Sequence, residues 1–249
     1  MKNRGNKNSR RRLPHNIIRT ISKSGLCSRT QALELVTAGK VTINGRVVLD
    51  PGHKTKNTDR IMVNGKPLIR ADKRYILFHK PSGYVTTRQD DLNRPTIYEF
   101  LKDIDDWVFP VGRLDMLSEG LLIMTNDTKL GNILTEPRYR ISRTYKVQIT
   151  GDITGKDIEK ILKGVDIRRG ETSRPKSAKI AYKNDVSTWV DVVLEEGKNR
   201  EIRRLFEALN KPVIRLIRTD FGPFKLGSIQ PGKWIELKEI PPELSKLIK

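Results

Sequence analysis

Cysteine is nearly missing from this chain. Cys27 stands alone among 249 residues. An intrachain disulfide is therefore excluded, which fits a reducing compartment. Histidine is almost as scarce. His15, His53 and His79 are scattered, without ligand spacing among themselves or around Cys27, so no metal cluster is expected. No run of about 18 apolar residues occurs, and no apolar signal core stands near the start. A basic amphipathic helix that would lie on a membrane is absent as well. P-loop and Rossmann glycine patterns do not occur, and Ser118 lacks the Gly-x-Ser-x-Gly setting of a hydrolase nucleophile.

Acids are also short relative to bases. Lys and Arg number 49 against 29 Asp and Glu, a formal charge of +20. Such an excess calls for a polyanionic partner. With membrane features missing, nucleic acid is the expected one, and the cytoplasm the expected place. The charge is uneven: residues 1–74 carry 18 basic and 4 acidic side chains, and the remaining 175 residues carry 31 and 25. Most of the polyanion affinity is thus expected in the first third of the chain.

Four segments follow from the pattern. Residues 1–14 hold Lys2, Arg4, Lys7, Arg10, Arg11 and Arg12 and no acid. Such a tail cannot bury a core and is expected to be disordered. Residues 15–68 read as a small module. Ile17 and Ile21 share a helical face, Gly25 suits a C-cap, and Ser28-Arg-Thr-Gln31 reads as a capping box. Asn44-Gly45 and Asn64-Gly65 sit between short β-branched runs, the signal of tight hairpins, with Pro67 weakening the last strand. Arg19, Lys23, Arg29 and Lys40 are its candidate phosphate contacts. Residues 69–74 are polar and read as a linker, and a larger domain is expected over 75–249. There, strands at Tyr75–His79, Tyr84–Thr87, Arg143–Thr150, 176–182, 188–194, Val213–Ile217 and Trp234–Leu237 interleave irregularly with helices near Thr96–Leu101, Asp127–Leu134, 158–162 and 202–209. That predicts an α+β fold with a mixed sheet.

One stretch stands out, Pro110–Asp127. Asp115 and Arg113 lie on a Gly-bounded turn, and the apolar run Leu121–Met124 behind it reads as a buried strand. Taken alone, this is either a surface turn with a solvated ion pair or a functional loop on a rigid element. Gly112-Arg113-Leu114-Asp115, Ser118-Glu119-Gly120-Leu121-Leu122 and Thr125-Asn126-Asp127 resemble the signature loop of the RsuA-type pseudouridine synthases. The family often has Gly where this chain has Thr128. His79–Thr87 and the stretch from Phe221 to Trp234 resemble the family too. Asn199-Arg-Glu-Ile-Arg-Arg204 is closer to its large-subunit, RluB-like branch. The 15–68 module resembles the S4 RNA-binding domain through Ser28-Arg29, Gly39-Lys40-Val41 and Asn44-Gly45.

The resemblance implies a fold and a chemistry. A small S4-like domain would precede a mixed-sheet catalytic domain that converts uridine to pseudouridine in ribosomal RNA, most simply that of the large subunit. Transfer RNA stays open as a substrate, and a non-catalytic ribosome assembly factor is the rival reading. Asp115 would be the catalytic residue, Tyr145 would line the cleft, and Arg203 would pair with the carboxylate. Alternation with Val147 and Ile149 makes Tyr145 equally a core aromatic. On a helical wheel Arg203 flanks the stripe of Ile202, Leu205, Phe206 and Leu209, while Arg204 points away and is expected to be solvated. Arg113 would hold the space around the base or a phosphate. The isomerisation conserves atoms, so no cofactor is expected, and a monomer suffices. The breaking bond leaves C1′ electron-poor, which a carboxylate can stabilise or trap. Attack on C1′, attack on C6 and removal of a ribose proton all stay open.

Overall fold

The computed structural model describes residues 15–248. The tail expected at 1–14 lies outside the described residues. Two compact units divide between Asp72 and Lys73.

In the first unit the local signals decide the elements. Helix α1 (Ile17–Ser24) starts where the Asn16 side chain accepts from the Arg19 amide, and ends at Gly25 in the left-handed conformation. Helix α2 (Arg29–Thr37) opens on the complete Ser28–Gln31 capping box. Strands β1 (Val41–Ile43) and β2 (Arg46–Val47) turn at Asn44-Gly45, and β3 (Ile61–Val63) and β4 (Lys66–Pro67) at Asn64-Gly65. All four turn residues have positive φ, as this hairpin turn requires. The strand order β2-β1-β3-β4 leaves Pro67 on an edge, where its missing N–H costs no ladder bond. Ile17, Ile21, Ala32, Val36, Val41, Ile43 and Val63 close the small core.

The second unit is built on one mixed sheet. Its strands are β5 (Tyr75–Lys80), β6 (Glu119–Thr125), β7 (Arg143–Thr150), β8 (Ser177–Lys183), β9 (Ser187–Leu194), β10 (Val213–Phe221) and β11 (Trp234–Glu236), in the order β8-β9-β7-β10-β6-β5-β11. Only the short junction of β10 with β6 is parallel among these neighbours. The run Leu121–Met124 is apolar at every position because β6 is covered on both faces. Leu122 and Met124 enter one core with Ile76, Phe78 and Val147, whereas Leu121 and Ile123 enter the other with Leu77, Leu130 and Phe221. Helix α3 (Thr128–Thr135) is capped by Asp127, which accepts from the Lys129 amide. Thr128 is its first residue and has no positive φ, so a glycine is not needed there. Helices α4 (Gly155–Lys163), α5 (Glu201–Glu207) and α6 (Pro242–Ile248) complete the unit.

Two expected elements differ. Thr96–Leu101 is a single 3-10 turn over Ile97–Phe100, too short for an α-helix. Tyr84–Thr87 forms no strand; Val85 makes one isolated bridge to Thr96. No helix among the described residues is long and apolar enough to cross a membrane.

Candidate active site

The loop from Val111 to Ser118 carries Asp115 into a cleft of about 150 Å³, lined also by Arg113, Tyr145, Arg200, Arg203, Leu216 and Arg218. The loop is fixed by bonds to its own backbone. The Thr86 hydroxyl donates to the Leu114 carbonyl at 2.7 Å. The Gly83 amide donates to the Met116 carbonyl at 2.8 Å. The Ser118 amide donates to the Asp115 carbonyl at 3.0 Å. Arg203 Nη2 donates to the Leu117 carbonyl at 2.9 Å.

Lys80 holds the same loop from beneath. It is fully buried, and its Nζ donates to the carbonyls of Pro81 at 3.0 Å, Met116 at 3.1 Å and Ser118 at 2.7 Å. One ammonium thus spends its three donors across the base of the Asp115 turn. Burial pushes the Lys80 ammonium down to about 8, against the pull of Glu119 and Asp115. Lys80 is not among the residues that the sequence pattern singles out. A lysine beside a proline gives no local sign that it will be enclosed.

The partner of Asp115 is Arg200, a correction to the pairing expected with Arg203. Arg200 Nη1 lies 3.7 Å from the carboxylate, with the Asp115 side chain 37% exposed and that of Arg200 52% exposed. Such an open pair contributes little to stability, about 0–1 kcal/mol. At that distance it is an ion pair without a hydrogen bond, which places a positive charge beside the carboxylate. Arg200 stands at the N-cap of α5 in the left-handed conformation, φ 48° and ψ 34°. That backbone swing sends its side chain to the cleft instead of along the helix.

Arg203 instead braces the loop through Leu117 and reaches the Val213 carbonyl at 3.3 Å. Burial and then Arg200 push its guanidinium below the ordinary value, with Asp115 acting oppositely. Arg204 is not solvated, a second correction. Its side chain is 12% exposed and holds Glu171 at 2.5 Å and the Ile167 carbonyl at 3.3 Å. The hairpin of Val165–Asp166 and Thr172–Ser173 brings those groups over the face of α5 that a helical wheel leaves to water.

Tyr145 satisfies both readings made for it. It is 9% exposed, packs in the larger core and lines the cleft from the start of β7. Arg113 is exposed at the mouth. Behind Arg200, the buried Glu201 accepts from the Ser173 hydroxyl at 2.7 Å and the Lys198 amide at 3.0 Å, which ties down the loop before α5. Burial pushes the Glu201 carboxyl up, and those two bonds act against it.

In the first unit, Arg19, Arg29 and Lys40 are exposed. Arg19 and Lys23 fall four residues apart on α1, and so on one side of it. Lys23 is half-buried, with Nζ 3.0 Å from His15 Nε2.

Comparison with known proteins bears on both units. Residues 74–208 match the RNA pseudouridylate synthase family, and residues 18–61 match the S4 domain. The chain is 38% identical over 232 residues to an RNA pseudouridine synthase of Aquifex aeolicus (strain VF5), covering 92% of each. It is 34% identical over 230 residues to ribosomal large subunit pseudouridine synthase B of Bacillus subtilis (strain 168), covering 92% of this chain and 93% of that one. A crystal structure of a pseudouridylate synthase superposes with a TM-score of 0.61 at 25% identity, over 94% of this chain and 97% of the other. Both units thus have counterparts among known proteins, and the chain belongs to the RNA pseudouridylate synthase family, with an S4 domain ahead of the mixed-sheet unit.

Proposed function

We propose that this enzyme isomerises a uridine of large-subunit ribosomal RNA, with Asp115 as the catalytic group and the module at 15–68 as the RNA anchor. The observation that carries the reading is the setting of Asp115. Two acids line the cleft, the buried Glu201 and the partly exposed Asp115, and it is Asp115 that stands with Arg113, Arg200 and Tyr145 on a loop whose carbonyls at Leu114, Met116, Leu117 and Ser118 are each held by a donor. Likeness to the Bacillus subtilis large-subunit enzyme over nearly the whole chain supports the choice of RNA.

The residues divide the work. Target uridine leaves its stack and enters the cleft. Tyr145 gives it a flat wall. Asp115, paired with Arg200, meets the sugar–base junction, where the glycosidic bond breaks, the uracil turns, and C5 joins C1′. Arg113 holds a phosphate at the mouth. Arg203 and Lys80 act through the loop. The cleft walls exclude water that would otherwise capture the electron-poor sugar. Atoms are conserved, so the reaction needs no cofactor. Arg19, Lys23, Arg29 and Lys40 contact phosphates from the first unit. The enzyme works in the cytoplasm as a monomer in this reading.

The test is a map of pseudouridines in ribosomal and transfer RNA from cells lacking the protein. Loss of a large-subunit site, restored by the wild type and not by Asp115→Asn, is the expected result. An unchanged large-subunit map with a lost transfer-RNA or small-subunit site would move the substrate, and an unchanged map throughout would remove the enzymatic reading.

A further inference from the structure

One cation in the cleft has no assigned work. Arg218 on β10 is 2% exposed and lines the cleft with Asp115 and Tyr145. Its Nε donates to the Leu121 carbonyl at 2.8 Å, while Nη2 is buried with no hydrogen-bond partner. Its guanidinium carbon stands 4.9 Å from the centre of the Phe221 ring, and that of Arg143 stands 4.7 Å from the same centre. Arg143 spends its Nη1 and Nη2 on the carbonyls of Ile141 and Leu134. Burial pushes the Arg143 guanidinium below its ordinary value, and Arg218 acts in the same direction against Tyr145 and Glu201.

The acids nearby are engaged elsewhere. Asp115 pairs with Arg200, Glu119 with Arg215, and Glu201 takes the Ser173 hydroxyl and the Lys198 amide. Two buried guanidiniums therefore flank one aromatic ring with no carboxylate between them. A buried charge left this way is costly to the fold, as is a buried N–H without an acceptor. Its place is nevertheless set firmly. Gly120 pairs with Arg218 across the parallel junction of β6 and β10, and a Cβ at Gly120 would collide with the Arg218 backbone. The Asp115 loop runs into β6 at Glu119, so Arg218 and Asp115 are registered through the same junction.

We propose that Arg218 is a catalytic contact whose free N–H edge donates to a carbonyl oxygen of the flipped uracil and stabilises the charge the base acquires as the glycosidic bond breaks. The inference rests on the reading of the cleft as a uridine isomerase. Depth distinguishes the base from a phosphate as the acceptor. A phosphate stays on the RNA backbone at the mouth, where Arg113 and Arg200 are exposed, whereas the base is the part that enters. The lining includes the buried Leu194, Ile202, Leu216 and Phe221 beside Ser118, Arg143 and Glu201, and those four apolar walls suit a neutral ring better than a hydrated phosphate. The N1–C1′ bond breaks with its electron pair leaving on the base, and the negative charge spreads to the ring carbonyl oxygens. A cationic donor at such an oxygen in a dry site stabilises the departing base more than the bound uridine. The new C1′–C5 bond takes its pair from the base, the C5 proton leaves, and N1 takes a proton. Arg218 donates hydrogen bonds and transfers no proton in these steps.

The experiment measures single-turnover tritium release from a large-subunit ribosomal RNA transcript carrying [5-³H]uridine, with the rate expressed per folded molecule. Arg218→Gln keeps a neutral donor for the Leu121 carbonyl, and Arg218→Lys keeps the charge and loses the two-pronged edge. The expected result is a rate lowered about a hundredfold or more in Arg218→Gln and less in Arg218→Lys. RNA affinity stays within about threefold, and the melting temperature within about 3 °C. A rate per folded molecule near wild type in both variants would overturn the proposal. Failure of both to fold would also overturn it, marking Arg218 as a brace between β6 and β10. If wild type itself releases no tritium from the transcript, the reading of the cleft fails, and that result is distinct from an active wild type matched by its Arg218 variants.

Discussion

The two units use charge in opposite ways. In the first, Arg19, Arg29 and Lys40 lie exposed on or beside two short helices, over a core of small aliphatics. The second keeps Arg113 and Arg200 exposed at its cleft but engages other cations within the fold. Arg74 pairs with Asp106 and Glu236, Arg204 with Glu171, Arg215 with Glu119, and Lys80 with three backbone carbonyls. The first arrangement suits grip, because exposed cations displace counterions from a polyanion without fixing a geometry. The second suits aim, because cations held by the fold set the position of one carboxylate. Affinity and chemistry should therefore be separable by mutation.

Deleting residues 1–68 is the largest expected break in this comparison. RNA affinity at low salt should fall about a hundredfold or more, and its slope against salt should flatten. A binding titration at several salt concentrations checks it. An unchanged slope would move the anchor into the second unit.

Within the second unit, Arg200→Ala and Arg203→Ala separate aim from support. Arg200→Ala should cut the single-turnover rate about ten- to a hundredfold, with an unchanged melting temperature, since the ion pair is open. Arg203→Ala should lower rate and melting temperature together, because the Leu117 carbonyl loses its donor and the loop loosens. Matching behaviour of the two variants would erase the distinction. Arg204→Ala should lower stability by about 1–3 kcal/mol, through the orphaned Glu171 and Ile167 groups, and leave the rate per folded molecule intact.

A further effect concerns pH. Lys80 titrates near 8 in the folded chain and near 10.5 when unfolded. Its folded value is the lower one, so between those values the unfolded chain binds the extra proton. The contribution of Lys80 to stability accordingly rises with pH across that window. The melting temperature of wild type relative to Lys80→Met should increase from pH 7 to pH 10, at about 2–4 °C per kcal/mol. A flat difference would mean that Lys80 titrates as an exposed lysine does.

What could be read from the sequence was local. Asn44-Gly45, the Ser28–Gln31 box and the Gly25 C-cap each act within four residues, and each forms as read. Leu121–Met124 was legible as a strand because an unbroken apolar run of that length fits an element covered on two faces. Arg200, Lys80 and the burial of Arg204 were not legible. Arg200 depends on a left-handed residue ahead of a helix, Lys80 on a loop that meets it from 36 and 38 residues away, and Arg204 on a hairpin lying 33 residues before it. A helical wheel holds one helix and no neighbours. Arg203 was placed rightly at the cleft and given the wrong contact, since the motif fixes the residue and the backbone at Arg200 decides which arginine reaches the acid.

The most direct test of the central claim is Asp115→Asn, measured by tritium release from uridine C5 and by RNA binding on the same preparation. The change is nearly isosteric and removes the charge that stabilises, attacks or abstracts in every form of the mechanism. The account expects release to vanish while affinity stays within about threefold of wild type, because phosphate contacts supply most of the binding. Tritium released at a near wild-type rate would contradict it, and would show that the carboxylate held by this loop is not the group that performs the chemistry.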